Sequence, residues 1–445
     1  MMRINLTRRA FAFLLGGALL AGAAGPAAAA AKIERIVSPG GIEAWLVREP
    51  SVPLIAMDFA FLGGASADPA DKPGVANMVT ALLDEGAGDL SAQAFQERLQ
   101  EQAIELSFSK GRDRFRGSLR TLVDNRDEAF DLLRLSLSAP RFDADAVARI
   151  RGQIIANLTR ESTSPNDIAS KRWWSVAYPN HPYGRPSDGT LESIPLITAD
   201  DLKTYTRRVF TRDNLKVGIV GAIDAETAGR LIDQAFGALP AKSDLAPVPD
   251  AKPQGLGERL TVDFNVPQTV ITFGGPGISR KDPDFFTAYV VNHILGGGSF
   301  SSRLYNEVRE KRGLAYSVYT SLFWLDHTAL LSGGTATRGD RAGETVRILE
   351  QEMRRLAESG PTQEELDKAK TYLKNSYALG FDTSGKIAGQ LVQIQLDELG
   401  IDYVERRGAL IDAVTLVDAK RVAKRLLDGG FLFVSVGRAP ALKGG

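Results

Sequence analysis

Residues 296–318 read GGGSFSSRLYNEVREKRGLAYSV, and residues 86–108 read GAGDLSAQAFQERLQEQAIELSF. At a shift of 210 positions the two stretches align without a gap. Gly86/Gly296, Gly88/Gly298, Ser91/Ser301, Glu97/Glu307 and Ser107/Ser317 are identical, and Leu90/Phe300, Phe95/Tyr305 and Ile104/Leu314 are close matches. Two more pairs recur at nearly the same shift: GGASADP at 63–69 with GISRKDP at 277–283, and KVGIVG at 216–221 with LFVSVG at 432–437. A repeat on this scale reads as one fold written twice.

Working outward, the halves meet at a stretch with four prolines between Pro240 and Pro253 and no apolar periodicity, the mark of a linker. The expected division is 32–240, a linker at 241–256, and 257–445. Each half opens on an apolar strand (Leu54 to Leu62; Thr269 to Gly274), continues through helices and further strands, and closes on another strand (Leu215 to Val220; Phe431 to Val436). Val147, Ile150, Ile154 and Leu158 recur at steps of three and four and predict an amphipathic helix over Ala144 to Leu158. Thr362 followed by Glu365 predicts a capping box. The fold class is α+β, two homologous α/β-sandwich domains of about 200 residues each, within the usual size of a domain.

Composition excludes much. Lys plus Arg and Asp plus Glu are both 54, so no basic excess exists to neutralise a phosphate backbone, and nucleic acid is not an expected partner. There is no cysteine, which removes disulfides, thiolate nucleophiles and Cys-ligated metal. The three histidines, His181, His293 and His327, are scattered. Residues 1–31 carry Arg3, Arg8 and Arg9 and no acid, then an apolar run from Phe11 and small residues up to Ala31, the pattern of a secretory signal peptide. Thr7 to Phe11 (TRRAF) is twin-arginine-like, with an ordinary secretion signal as the alternative. Either reading sends the mature chain to the bacterial periplasm with a small net negative charge, and no later stretch is apolar enough for a membrane span.

The 296–318 block resembles the second-domain signature of pitrilysin/insulinase-type zinc peptidases, the inverzincins. His181-Pro-Tyr-Gly184, Ile197 to Leu202 and Asn214 to Gly221 follow in that family's order. The resemblance implies half of a clam-shell peptidase chamber. It also implies a zinc site built on H-x-x-E-H, with a further acidic ligand downstream. Here those positions hold Asn77, Thr80 and Ala81, and the downstream ligand falls on Asn157. Asp84 and Glu85 are expected one turn further along the same helix, with no histidine in reach. Neutral amides, a threonine and an alanine lack the charge and donor strength that zinc requires, so no metal is expected in this chain.

The resemblance also implies a second-domain Arg and Tyr, seven residues apart, that hold the peptide. They match Arg309 and Tyr316. Arg offers a rigid fork for a peptide carbonyl and Tyr a hydroxyl for a developing oxyanion. The plainer alternative puts Arg309 on a solvated charged face with Glu307, Glu310, Lys311 and Arg312, and leaves Tyr316 as strand packing. Gly296 to Gly298 reads as a flexible turn, since no Lys-Ser/Thr follows to suit a phosphate. Trp173 and Trp174 read as core or interface packing, and Arg338, Arg341 and Arg347 as a solvated helix start.

The implied function is the non-catalytic subunit of a periplasmic heterodimeric zinc endopeptidase. Zinc is expected in the active partner subunit, and peptide substrates in the shared chamber. The alternative is a peptidase-fold scaffold or peptide-binding protein with no part in hydrolysis.

Overall fold

The computed structural model describes residues 32–438; the segment 1–31, read above as a signal peptide, lies outside them. The first half forms strands β1 (Ile33–Val37), β2 (Glu43–Arg48), β3 (Leu54–Leu62), β4 (Glu105–Lys110), β5 (Arg114–Leu122) and β6 (Lys216–Gly221), arranged β1-β2-β6-β3-β5-β4. The second half forms β7 (Arg259–Asp263), β8 (Gln268–Pro276), β9 (Ala315–Leu325), β10 (Thr328–Arg338) and β11 (Leu432–Gly437), arranged β7-β11-β8-β10-β9. β2 and β6 are parallel, as are β7 and β11, and every other pairing is antiparallel. The second sheet therefore repeats the order and direction of five strands of the first. The backbone repeats too. Ala103 and Gly313, 210 positions apart, both take positive φ (48° and 57°) just before β4 and β9.

Sequence LIAMDFAFL in β3 is a nearly unbroken apolar run, the pattern of a strand covered on both faces. One face of the first sheet packs on helices of its own half, among them α1 (Val75–Thr80), α2 (Ala92–Glu101), α3 (Arg126–Ser138) and α4 (Ala144–Glu161). Its other face is covered by the helix Ser384–Leu396 from the second half. The second sheet is covered reciprocally by α5 (Pro165–Ala177) from the first half. Each crossing helix comes close to a strand glycine. A Cβ on Gly218 would stand 2.6 Å from Ala388 O, and one on Gly274 would stand 2.5 Å from the Trp173 ring. Each crossing also carries a buried polar bond: Gln395 Nε2 donates to Val217 O at 2.9 Å, and Trp173 Nε1 to Leu432 O at 3.2 Å.

The seam between the halves joins the β4–β5 turn to the β9–β10 turn. The Arg114 guanidinium pairs with Asp326 through both nitrogens. Asp113 accepts from Asp326 N at 2.8 Å and from Tyr183 Oη at 2.7 Å. Residues 241–256 cross it without helix or strand; Ala251 N donates to His327 O and Gln254 N to Ala177 O, both at 2.9 Å.

Candidate functional site

Helix α1, which carries the degenerate metal positions, is held at its start by Asp68. Its two carboxylate oxygens accept from Gly74 N and Ala76 N at 2.7 and 2.8 Å. Burial pushes the Asp68 carboxyl up to about 7, against the pull of those two N–H groups. The helix ends after Thr80, so Asp84 and Glu85 are not on it, contrary to expectation. The reason is packing: Leu82 and Leu83 are both fully buried, and the chain turns to seat them. Glu85 is instead paired with Arg149, and Asp84 accepts from Gln96 at 3.2 Å.

Asn77 donates to Asp188 O at 3.2 Å, and Thr80 Oγ1 donates to Asn77 O at 2.7 Å. Ala81 caps α1 and has no donor to offer. Asn157 is exposed on α4 and accepts from Arg160 of its own helix at 2.9 Å. Beside Asn77 the space carries an ion pair that sequence reading missed, Lys110 Nζ to Asp188 at 2.5 Å. Burial alone would raise the Asp188 carboxyl, but Lys110 outweighs it and holds it below the ordinary range. No local pattern links residues 78 positions apart.

Among the described residues no three His, Cys, Asp or Glu side chains come together as metal ligands. His181 accepts from Tyr183 N at 3.1 Å and lies 2.8 Å from Pro249 O, His293 stacks on Tyr372, and His327 meets Asp250. The donor set does not fit zinc. Restoring Asn77→His, Thr80→Glu and Ala81→His alone is expected to leave zinc retention after dialysis far below one ion per chain, because Asn157 stays a neutral amide and the supporting shell is absent. Elemental analysis of the triple variant checks this.

The other pair is well organised. Arg309 lies on a π-helical turn, Asn306–Glu310, a local widening that often marks functional positions. Gly313 N bonds to Arg309 O and Leu314 N to Val308 O, both at 2.9 Å, folding the chain directly into β9. The Arg309 guanidinium carbon then sits 4.6 Å from the Tyr316 ring centroid and 5.1 Å from that of Tyr305, and its Nη1 donates to Tyr305 Oη. Tyr316 is 80% exposed, and its hydroxyl bonds to no other described residue. The plain charged-face reading fails at Glu307, which is 5% exposed and clamped by Lys311 at 2.6 Å and by Arg312. With Glu307 engaged, the nearest acid to Arg309 is Glu310, at 4.0 Å.

The glycine cluster is not a flexible turn. His293–Gly297 is a second π-helical turn, and a Cβ on Gly296 would lie 2.6 Å from Thr320 Oγ1 on β9. Trp173 is core, Trp174 is half-buried beside it, and Arg338 and Arg341 pair with Asp340 and Glu344 on the surface. β9 is an edge strand, and its exposed residues Tyr316, Ser317, Tyr319, Ser321 and Phe323 form a row leading away from Arg309.

The family model described as "Peptidase M16 inactive domain" matches residues 196–373. A solved peptidase M16 inactive domain from Pseudomonas fluorescens superposes with a TM-score of 0.86 at 29% identity, covering 93% of this chain and 99% of that one. The chain is thus similar to M16 peptidase inactive domains in its second half by sequence and across its length by fold. Another relative is the non-peptidase homolog YmxG of Helicobacter pylori, 29% identical over 75% of this chain and 77% of its own length. An uncharacterized zinc protease of Streptomyces coelicolor is 27% identical over 92% and 88%.

Proposed function

We propose that this chain is the non-catalytic subunit of a periplasmic, heterodimeric zinc endopeptidase. It holds peptide in a chamber completed by a subunit that keeps H-x-x-E-H and carries the zinc. The observation that carries the reading is the exposed, pre-positioned Arg309–Tyr316 pair in a chain with no metal ligands at Asn77, Thr80, Ala81 and Asn157. A pure scaffold has no use for such a pair. Peptide would lie extended along the β9 edge, where backbone hydrogen bonds give grip with loose sequence preference. Arg309 would donate to a peptide carbonyl, and Tyr316 would donate to the oxyanion that forms when water attacks it.

Assembly tests the reading. Co-expressed with the H-x-x-E-H chain of a neighbouring gene, the mature protein is expected to elute as a one-to-one heterodimer of about twice its own mass. Separate elution of the two chains at micromolar concentration would favour the scaffold reading.

A further inference from the structure

A cavity of about 580 Å³ lies between α5 and residues 184–188, with Arg112 and Trp174 in its lining. Arg112 follows β4, and its guanidinium carbon lies 3.7 Å above the Trp174 ring centroid. Trp174 is itself stacked on Tyr178 and edge-on to Phe323, the last of the exposed row on β9. The Arg112 Nε is buried without a hydrogen-bond partner, and no other described residue bonds to this guanidinium. Burial pushes Arg112 down to about 10.

Three of the neighbouring acids are engaged elsewhere. Asp113 accepts from Tyr183 and Asp326 N, Asp188 holds Lys110, and Glu161 holds Lys171 at 2.8 Å. Asp167 stands in the first turn of α5. The lining carries four cations, Arg112, Lys171, Arg172 and Arg185, against the three acids Glu161, Asp167 and Asp188. A guanidinium whose carbon sits over an indole ring still has its fork of N–H groups to offer, and a carboxylate matches that fork. With Asp188 already paired to Lys110, the lining keeps a positive surplus that suits an anion.

We propose that Arg112 is the anchor of a carboxylate subsite that receives an acidic group of the bound peptide. The assignment of the ligand as peptide rests on the function proposed above. Tyr316 and Phe323 are seven positions apart on β9, about 24 Å of extended chain. A peptide of roughly that length lying along β9 from Tyr316 would end beside Phe323, which is edge-on to the Trp174 ring that Arg112 covers.

Three N-terminally blocked octapeptides separate the sources: one with a free C-terminal acid, its C-terminal amide, and that amide with the last residue changed to glutamate. Titrated calorimetrically into the mature chain, the free acid or the glutamate peptide is expected to bind about tenfold or more tighter than the plain amide, the worth of a charge-assisted pair. Tighter binding of the acid alone assigns the chain end; of the glutamate peptide alone, a side chain. Arg112→Gln should erase the difference, and Arg112→Lys, which loses the fork, should restore only part of it. Equal affinities in the wild-type chain, no binding by any of the three, or a difference that survives Arg112→Gln would overturn the subsite. Failure of the parent reading shows separately, as turnover of the assembled pair that ignores Tyr316→Phe.

Discussion

Tyr316→Phe in the assembled heterodimer is expected to lower turnover about a hundred- to a thousand-fold, the usual cost of losing one oxyanion donor at about 3 to 4 kcal/mol. Zinc content and assembly should not change. The substitution is sharp because it keeps the ring that stacks against Arg309 and removes only a hydroxyl that no other described residue engages. Arg309→Ala should act in the same direction, with some added cost from unstacking Tyr305 and Tyr316. Steady-state hydrolysis of one peptide by wild type and both variants measures this. Unchanged turnover with Tyr316→Phe would leave the tyrosine as surface packing.

The second large effect concerns the exchanged helices. Trp173→Ala should destabilise the second sheet by about 3 to 5 kcal/mol, the range for emptying a large aromatic site. The ring is 3% exposed, fills the space over Gly274, and supplies the only side-chain donor to Leu432 O among the described residues. Trp173→Phe keeps most of the volume but leaves that carbonyl without its donor, at a cost of about 1 to 3 kcal/mol. Hydrogen exchange on β8 and β11 should rise for both variants, more for alanine, while β3 and β6 change little. A uniform rise over both sheets would show that the halves unfold as one unit rather than through the local crossing.

Much of the fold was legible from local pattern. The capping box at Thr362 and Glu365 forms as read, and the periodic helix starts at Ala144 and runs three residues past Leu158. The strand read at Leu54 to Leu62 matches β3, and the others differ by one or two residues at their ends. Neither half, however, opens on the strand read as its first: β1 and β2 precede β3, and β7 precedes β8. What pattern could not give was anything set by distant contacts. The amphipathy of α5 and of the Ser384–Leu396 helix says that they bury a face, not that each buries it on the other half's sheet. The π-helical turns at 293–297 and 306–310 have no composition signal. They arise where Gly296 meets Thr320 and where buried Glu307 is clamped by Lys311 and Arg312. At the site, Arg309 and Tyr316 were found through the motif, because both sit within one continuous block. Lys110–Asp188 and Arg112–Trp174 were not, because each joins segments more than sixty positions apart in sequence.

The central claim is that this chain contributes substrate contacts to a zinc peptidase without contributing the zinc. It is tested by purifying the mature chain, its H-x-x-E-H partner and the assembled pair, dialysing each against metal-free buffer, and measuring zinc content and hydrolysis of one unstructured peptide. The account predicts essentially no zinc and no cleavage for the isolated chain, and about one zinc per heterodimer with cleavage well above that of the partner alone. About one zinc retained by the isolated chain, with chelator-sensitive cleavage, would contradict it.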